Sequence, residues 1–541
     1  MAKRVWSLFL VAGLITLWPT WMSSHGQHPT SNRKFQTSDR CLACHNGLMT
    51  SSGQDISIGF DWRSSLMANS SRDPYWQGSV RRESIDHPES RADIEDVCST
   101  CHMPMSHYEA KWQGRKGEVF PFLPFEADTK KSALAEDGVS CSVCHQIGRE
   151  KLGTRESFNG EFVIDPANSS GNHPEYGPFA IQAGQQRIMQ TSTGGFHPTQ
   201  AAAHIRDSAL CGSCHTLYTE ALGNGGKVVG SFPEQMPYLE WLHSDYPSKS
   251  TCQSCHMPEV HEEVPITAVL GVPRSGVHRH VFVAANFFIQ GMLNRYRQDL
   301  DVAALPEELT AASERTVAFL QSESARVSIR STGIVSGSLR SEVFVENLSG
   351  HKLPTAYPSR RVWLHVIVKD RDGRAIFESG ALNPDGSIQG NDNDADPTRF
   401  EPHYREITRG DQVEIYEPIL KDSAGRVTTG LLSAVGYLKD NRLLPSGFRK
   451  DTAEKDIAVI GEAADDPDFT SAGSLVTYSV PLGDARGPFR VEAELLYQPI
   501  GFRWAHNLNP YDAPEPRRFV SYYDSMASSA AVVLARSEAT Q

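Results

Sequence analysis

The sequence predicts a multidomain chain in which an irregular, mainly α and coil half precedes an all-β, sandwich-like half. Three observations predict it. All ten cysteines of the 541 residues fall in the first half, in five pairs of one spacing. The stretch that holds them is rich in Gly, Pro, Ser and His and has few long periodic runs. Beyond residue 325 the texture changes to short alternating runs divided by turn residues, with no helical pattern between them.

In chain order, residues 1–24 have the form of a secretory signal. Lys3 and Arg4 precede the almost wholly apolar run Val5 to Trp18, and the small residues Ser23 and Ser24 follow. The run is short for a membrane span, which needs about 20 apolar residues. An uncleaved N-terminal anchor, with Trp18 and Trp21 at its far edge, is the alternative. Residues 25–300 form the expected first domain, 301–324 a linker helix and 325–541 the β domain. The net charge of −13 excludes general nucleic-acid binding, which needs a basic footprint.

The pairs are Cys41/Cys44, Cys98/Cys101, Cys141/Cys144, Cys211/Cys214 and Cys252/Cys255, and each is followed at once by a histidine: His45, His102, His145, His215 and His256. Two thiols three positions apart reach the two vinyl groups of one porphyrin and add across them as thioethers. The next residue then turns its imidazole to the iron. One motif fixes both attachment and one axial ligand. Zinc would pair the Cys-x-x-Cys halves and leave one of five unmatched, and it does not require His after every second Cys. Structural disulfides seldom use so close a spacing. The expected cofactor is haem c, five groups, all covalent. Such attachment occurs outside the bacterial cytoplasm, which agrees with a signal segment and a periplasmic or extracellular location.

The sixth ligand of each iron has to come from elsewhere. His25 and His28 sit next to the expected cleavage site. The first domain also holds His87, His107, His173, His197, His204, His243, His261, His278 and His280, and the β domain holds His351, His365, His403 and His506. Of these, His107, His173, His197, His204, His261, His278, His280 and His351 are the candidate distal ligands. His204 lies seven residues before Cys211 on an expected helix, Ala201 to Leu210. His107 and His261 recur in a weak repeat, CxxCHMPxxH, too close to their own motif to cross that haem but able to reach a neighbour. His278 and His280 flank Arg279 ahead of an expected helix, Phe282 to Leu300. His173 and His197 precede proline in Gly-rich loops. His351 lies in Asn347-Leu-Ser-Gly-His-Lys-Leu-Pro-Thr355, a loop after a strand, and is expected to reach back and cap a haem at the domain interface; an ordinary turn histidine is the alternative. Met67 and Met103 are further alternatives, and methionine would raise the potential.

Pro306 to Gln321 has the marks of a helix, with Pro at its start and Glu307 and Glu308 in the first turn. Strands are expected at Arg326–Arg330, Ser341–Val345, Val362–Val368, Val413–Tyr416, Thr477–Val480 and Val491–Leu495, with turns at Asp372-Gly373 and Asp385-Gly386. Asp392, Asp394 and Asp396 alternate as Ca²⁺ ligands can, but without the Gly and Glu of an EF-hand loop, so a solvated acidic turn is the simpler reading.

The flanks Gly138-Val-Ser-Cys141-Ser-Val-Cys144-His145, Ala209-Leu-Cys211-Gly-Ser-Cys214-His215 and Cys252-Gln-Ser-Cys255-His256-Met257-Pro258 resemble multihaem cytochromes of the cytochrome c-552/c-554 family, over about residues 35–285. The resemblance implies closely packed haems, mostly with two histidine ligands, and fast electron hopping. Five motifs exceed the four haems typical of the c-554 type, so its ligand assignments do not transfer. The tail after 325 is similar to β-rich domains appended to some multihaem cytochromes. The expected function is that of a secreted pentahaem c-type cytochrome mediating electron transfer between redox partner proteins, including a membrane-associated donor or acceptor. The alternative is a haem-dependent oxidoreductase acting on a small nitrogen or sulfur compound at one five-coordinate haem. Related ammonia-forming nitrite reductases use Cys-x-x-Cys-Lys at that haem, and the motif does not occur in this chain.

Overall fold

A computed structural model of the chain describes residues 35–124, 131–169 and 171–541. The expected signal segment, with His25 and His28, lies outside them. Every motif winds into a helical turn. Ser38–Leu42, Arg91–His102, Cys141–Gln146, Ser208–Gly212 and Cys252–His256 are helices that hold or begin the five motifs. Where the helix stops before the histidine, the turn continues: the N–H of His45 donates to the carbonyl of Cys41 at 3.0 Å, and that of His215 to Cys211 at 2.9 Å. Positions i, i+3 and i+4 share one face of a helix, so both thiols and the imidazole emerge together.

Local chemistry sets the helix starts. Helix α1 (Pro74–Asp86) has Pro at its first position and Asp73 as its cap, whose carboxylate accepts from the N–H groups of Tyr75 and Trp76. Helix α2 (Arg91–His102) carries the second motif in its last turn. The hairpin β1 (Leu217–Leu222) and β2 (Val228–Gln235) is antiparallel. Helix α3 (Phe287–Arg295) is capped by Asn286, which shortens the helix expected over Phe282 to Leu300. The helix expected over Ala201 to Leu210 is broken: Thr199–Ala201 is a strand, Ala203–Arg206 a 3₁₀ turn, and a new helix starts at Ser208. Its cap is Asp207, whose side chain accepts from the N–H of Ala209 and so ends the preceding turn. Helix α4 (Pro306–Glu323) follows, two residues longer than its pattern.

Two five-stranded sheets make up most of the second half. Strands β3 (Ala325–Val335), β4 (Ser338–Asn347), β5 (Arg361–Lys369), β6 (Gly473–Pro481) and β7 (Arg490–Gln498) carry them, with helix α5 (Pro514–Met526) and strand β8 (Val532–Thr540) at the end of the chain. One sheet runs Ala375–Ser379, β5, β7, β8, and the other Glu406–Ile407, β6, β4, β3; short strands pair at β5 and β6. Inward residues of both sheets, among them Val343, Val345, Leu364, Val366, Val491 and Leu495, are fully buried in one core. Alternation identified these strands because one face of each is apolar. The run Val413–Tyr416 pairs only at Ile415–Tyr416, since the Val413 N–H is taken by the Glu401 carboxylate.

The two halves are packed together within one compact unit. Arg81 of α1 makes a two-point contact with Glu515 of α5 at 2.8 and 2.7 Å, and Tyr75 meets Phe519 at a ring distance of 4.9 Å. A buried ionic cluster fastens the loop after β4. Asp440 binds Lys352 Nζ at 2.8 Å and Arg442 at 2.8 Å, and Arg442 reaches Glu240 of the first half at 2.9 Å. Burial alone would raise the Asp440 carboxyl, but Arg442 and Lys352 hold it well below the usual carboxylate range. Asp440→Asn therefore leaves buried Lys352 without a counter-charge and Arg442 with Glu240 alone. It is expected to cost about 3–5 kcal/mol of unfolding free energy, read from denaturant curves, whereas a loss under about 1 kcal/mol would mean the cluster is not a fastening.

Candidate haem-binding site

Four of the motif histidines are half-buried and turned in a common way, and His215 is the more exposed fifth. The Nδ1–H of His45 donates to the Ile266 carbonyl at 2.6 Å, His102 to Ser70 at 2.9 Å, His145 to Tyr176 at 2.6 Å and His256 to Val283 at 2.6 Å. A carbonyl on Nδ1 fixes the tautomer that leaves the Nε2 lone pair for a metal. Burial pushes His102 and His215 down to about 4, so both are neutral near pH 7, the form that ligates.

Three motif histidines face a second imidazole. His45 and His197, His145 and His280, and His256 and His351 each have ring centroids 6.3 Å apart, with planes at 40°, 20° and 10°. These rings are too far apart for contact and share no hydrogen bond. A metal–imidazole bond of about 2 Å and a ring radius of roughly 1.1 Å put two ligands on one metal at roughly that separation. His280 hydrogen-bonds the His278 carbonyl through Nδ1 at 3.1 Å, and His351 the Lys352 carbonyl at 2.9 Å. Burial pushes His197 down to about 4 and His280 to about 3.

The other candidates are placed differently. His107 is buried with Nδ1 at 3.2 Å from Ser99 Oγ and from the Asp96 carboxylate. His261 is exposed. The repeat CxxCHMPxxH thus diverges in space: Pro104 opens a helix to Trp112, while Pro258 is followed by the strand Glu259–Val260. His204 is buried with Nε2 against the Ile147 carbonyl at 2.8 Å, which leaves only Nδ1. His173 donates through Nδ1 to Asp165 at 2.6 Å, lies parallel to Trp112 and has a buried Nε2 without a partner, as does His87. His278 donates through Nδ1 to Met257 and lines the central cavity. Among the described residues, no second imidazole stands 6.3 Å from His102 or His215. Trp76 instead stacks on His102 at 4.3 Å with planes 4° apart. Met103 is buried in an apolar cluster, and Met67 lines the cavity. Asp392, Asp394 and Asp396 do not converge: Asp394 is bound by Arg361, Asp392 pairs with Arg399, and Asp396 accepts from Thr398.

A connected cavity of about 990 Å³, open to solvent, runs between the motifs and is lined by His45, His102, His145 and His215 with seven of the motif cysteines. Single small-molecule pockets span roughly 300–1,000 Å³, so this cavity lies at the upper end of that range, and its lining draws cysteine and histidine from four of the five motifs. Three cysteines expected to hold haem stand outside its lining: Cys44, Cys252 and Cys255. At Cys44 the cause is the segment that backs His45. Ile266 accepts from the His45 ring, and two residues on, the Ala268 N–H donates to the Cys44 carbonyl at 2.8 Å, so this segment closes over the half-buried Cys44 side of the turn while Cys41 faces the cavity. Cys255 is exposed, and its motif meets His351 at the edge of the β-rich half. No cysteine is in a disulfide. Paired thiols on one helical turn, neutral imidazoles with a free Nε2, opposed ring pairs and an extended cavity fit covalently held haem. Sequence patterns carry no sign of the cavity's other polar lining, Tyr75, Glu83, Glu234, Tyr357 and Arg360, because no motif joins them.

No family model and no curated protein matches the chain. A solved structure does: a penta-heme cytochrome c552 from Thermochromatium tepidum, with a TM-score of 0.52 at 15% identity, over 94% of this chain and 99% of that one. The fold is that of a multihaem cytochrome c. At this identity the likeness is one of backbone architecture, and it spans the β-rich half as well as the motif-bearing half. No helix among the described residues is long and apolar enough to cross a membrane.

Neutral burial of the imidazoles has a pH consequence. Their folded values lie below the unfolded value of about 6.5, so the stability they contribute is present above that pH and is lost progressively as pH falls toward the folded values. The denaturant midpoint is expected to fall steadily from pH 6.5 to pH 4, and less so in His280→Ala. A midpoint that is flat over this range would contradict neutral burial.

Proposed function

We propose that the chain is a secreted pentahaem c-type cytochrome that carries electrons between redox partner proteins in the periplasm or at the cell surface. The observation that carries this reading is the set of three imidazole pairs at 6.3 Å, each joining a motif histidine to one from elsewhere in the chain. An iron with two axial imidazoles has no place for a substrate, and its role is to accept and release electrons. Haem c supplies the one-electron chemistry when bound; the protein positions it, screens it from water and keeps both ligands neutral. In this reading His45/His197, His145/His280 and His256/His351 hold three of the haems, and the motifs at Cys98 and Cys211 hold the other two. The chain divides into a haem domain, 25–300, a linker helix and a β domain, 325–541. The β domain supplies His351 and fastens its loop through Asp440, Lys352 and Glu240.

A second reading has its own support. Among the described residues neither His102 nor His215 has a ring pair at the 6.3 Å spacing of the other three, and an iron left with one protein ligand there would bind a small nitrogen or sulfur compound, making the chain an oxidoreductase fed by its other haems.

Pyridine haemochrome analysis with intact mass is expected to give five haems per chain, and a smaller number overturns the proposal. His351→Ala is expected to turn one low-spin haem high-spin while retaining the haem count. An unchanged spectrum would remove His351 from the ligand set.

A further inference from the structure

The cavity wall beside Cys98 and Cys101 differs from the rest in its chemistry. Tyr75, Ser79 and Glu83 project from one face of α1, spaced by four residues. Thr219 and Glu234 come from the two strands of the β1–β2 hairpin, and Tyr357 from the segment that also carries His351. All six line the cavity. Glu83 is only 6% exposed; one carboxyl oxygen accepts from the Leu431 N–H at 2.9 Å and the other, Oε2, has no partner in the protein. Glu234, 5% exposed, accepts from Thr219 Oγ1 at 2.6 Å. The rings of Tyr75 and Tyr357 meet edge to face at 5.8 Å. Both carboxyls lie close enough to act electrostatically on the Cys98 thiol, and Glu234 on Cys101.

Buried polar atoms are nearly always paired, so a carboxyl oxygen without a partner on a cavity wall points to something outside the protein. Burial pushes Glu234 up to about 7 and raises Glu83 as well, against the opposing pull of Arg82. Burial thus favours the protonated carboxyl at both positions, and with the phenols of Tyr75 and Tyr357 the wall is one of O–H donors on the acid side of the Glu234 titration. It lies beside the second motif, whose His102 is stacked by Trp76 and, among the described residues, has no ring pair at 6.3 Å like those of His45, His145 and His256. Donors of this kind suit a small acceptor. An anion would gain nothing over a neutral molecule here, since any carboxylate that ionises would repel it.

We propose that the space beside the Cys98/Cys101 attachment site binds a small uncharged molecule of a few heavy atoms, which ligates the iron held by His102 and accepts hydrogen bonds from Glu83, Glu234 and Tyr357. This rests on the second reading above and names its site. The groups that face Glu234 are Thr219, Gln235, Glu83, Tyr357, Tyr437 and the paired motif sulfurs. None of them carries a fixed positive charge, so protonation of Glu234 is what changes the polarity of the wall.

The test uses the full-length haem-loaded protein, reduced and exposed to carbon monoxide, with haem content measured on the same sample. One haem is expected to bind CO, and the infrared C–O stretch is expected to shift across pH 7 as Glu234 titrates. Glu234→Gln should abolish the pH response, and Tyr357→Phe should raise the stretching frequency. If no haem binds CO at full haem content, the proposed site is refuted while the electron carrier stands. A deficient haem content refutes the carrier reading itself. A bound CO whose stretch ignores pH in the wild type, or ignores both substitutions, sits at another haem and equally overturns the proposal. The wild-type pH series decides the matter even if a variant fails to fold.

Discussion

A gap of fixed width between two neutral imidazoles is the constraint on which this structure turns. A ring pair at 6.3 Å gains nothing from mutual contact, so the protein must hold each ring from behind. The motif rings are held by backbone carbonyls on Nδ1 from segments distant in the chain, as with Ile266 behind His45 and Val283 behind His256, while the facing rings use local groups, the carbonyls of His278 and Lys352 and the Thr199 hydroxyl. Motif, backing carbonyl and facing imidazole are three separate parts of the chain that must meet at one point. An irregular first half, with short helices and long returning loops, follows from that demand.

The β-rich half is part of the same solution. Its two sheets bury a conventional apolar core, and that rigidity lets a loop after β4 carry His351 to His256. The cluster of Lys352, Asp440, Arg442 and Glu240 is an expensive device in a buried setting, and well-packed apolar residues would often stabilise as much. What it supplies is a defined position for the loop next to the first half. The contact of α1 with α5, through Arg81 and Glu515, serves the same alignment on the wall that carries Tyr75 and Glu83.

The motifs were legible in the sequence because thioether attachment and the first axial bond are local chemistry, completed within five residues. The principal strands were legible because one face of each is apolar. The long helix from Pro306 was legible because its start carries proline and two acids. The rest depended on contacts between distant residues. Asp207 ends one turn and caps the next, which breaks the helix expected before Cys211. Two copies of CxxCHMPxxH diverge because one proline opens a helix and the other precedes a strand. Cys41 and Cys44 are alike in the motif, yet only Cys41 reaches the shared cavity, because a segment more than 200 residues away covers the other side of the turn. Of the eight candidate distal histidines, no local feature distinguished His197, His280 and His351 from His107 or His261. What separates them is which carbonyl or carboxylate each nitrogen meets. The carboxyl and tyrosine wall beside Cys98 left no pattern at all, since its members come from a helix, a hairpin and a loop.

The central claim is that opposed imidazole pairs, rather than single histidines, hold most of the irons. Near-infrared magnetic circular dichroism of the fully oxidised protein tests it most directly, because the charge-transfer band of a low-spin ferric haem reports its pair of axial ligands. Bis-histidine bands that integrate to at least three haems per chain are expected. Fewer than three, or bands of histidine–methionine type in their place, would contradict the claim.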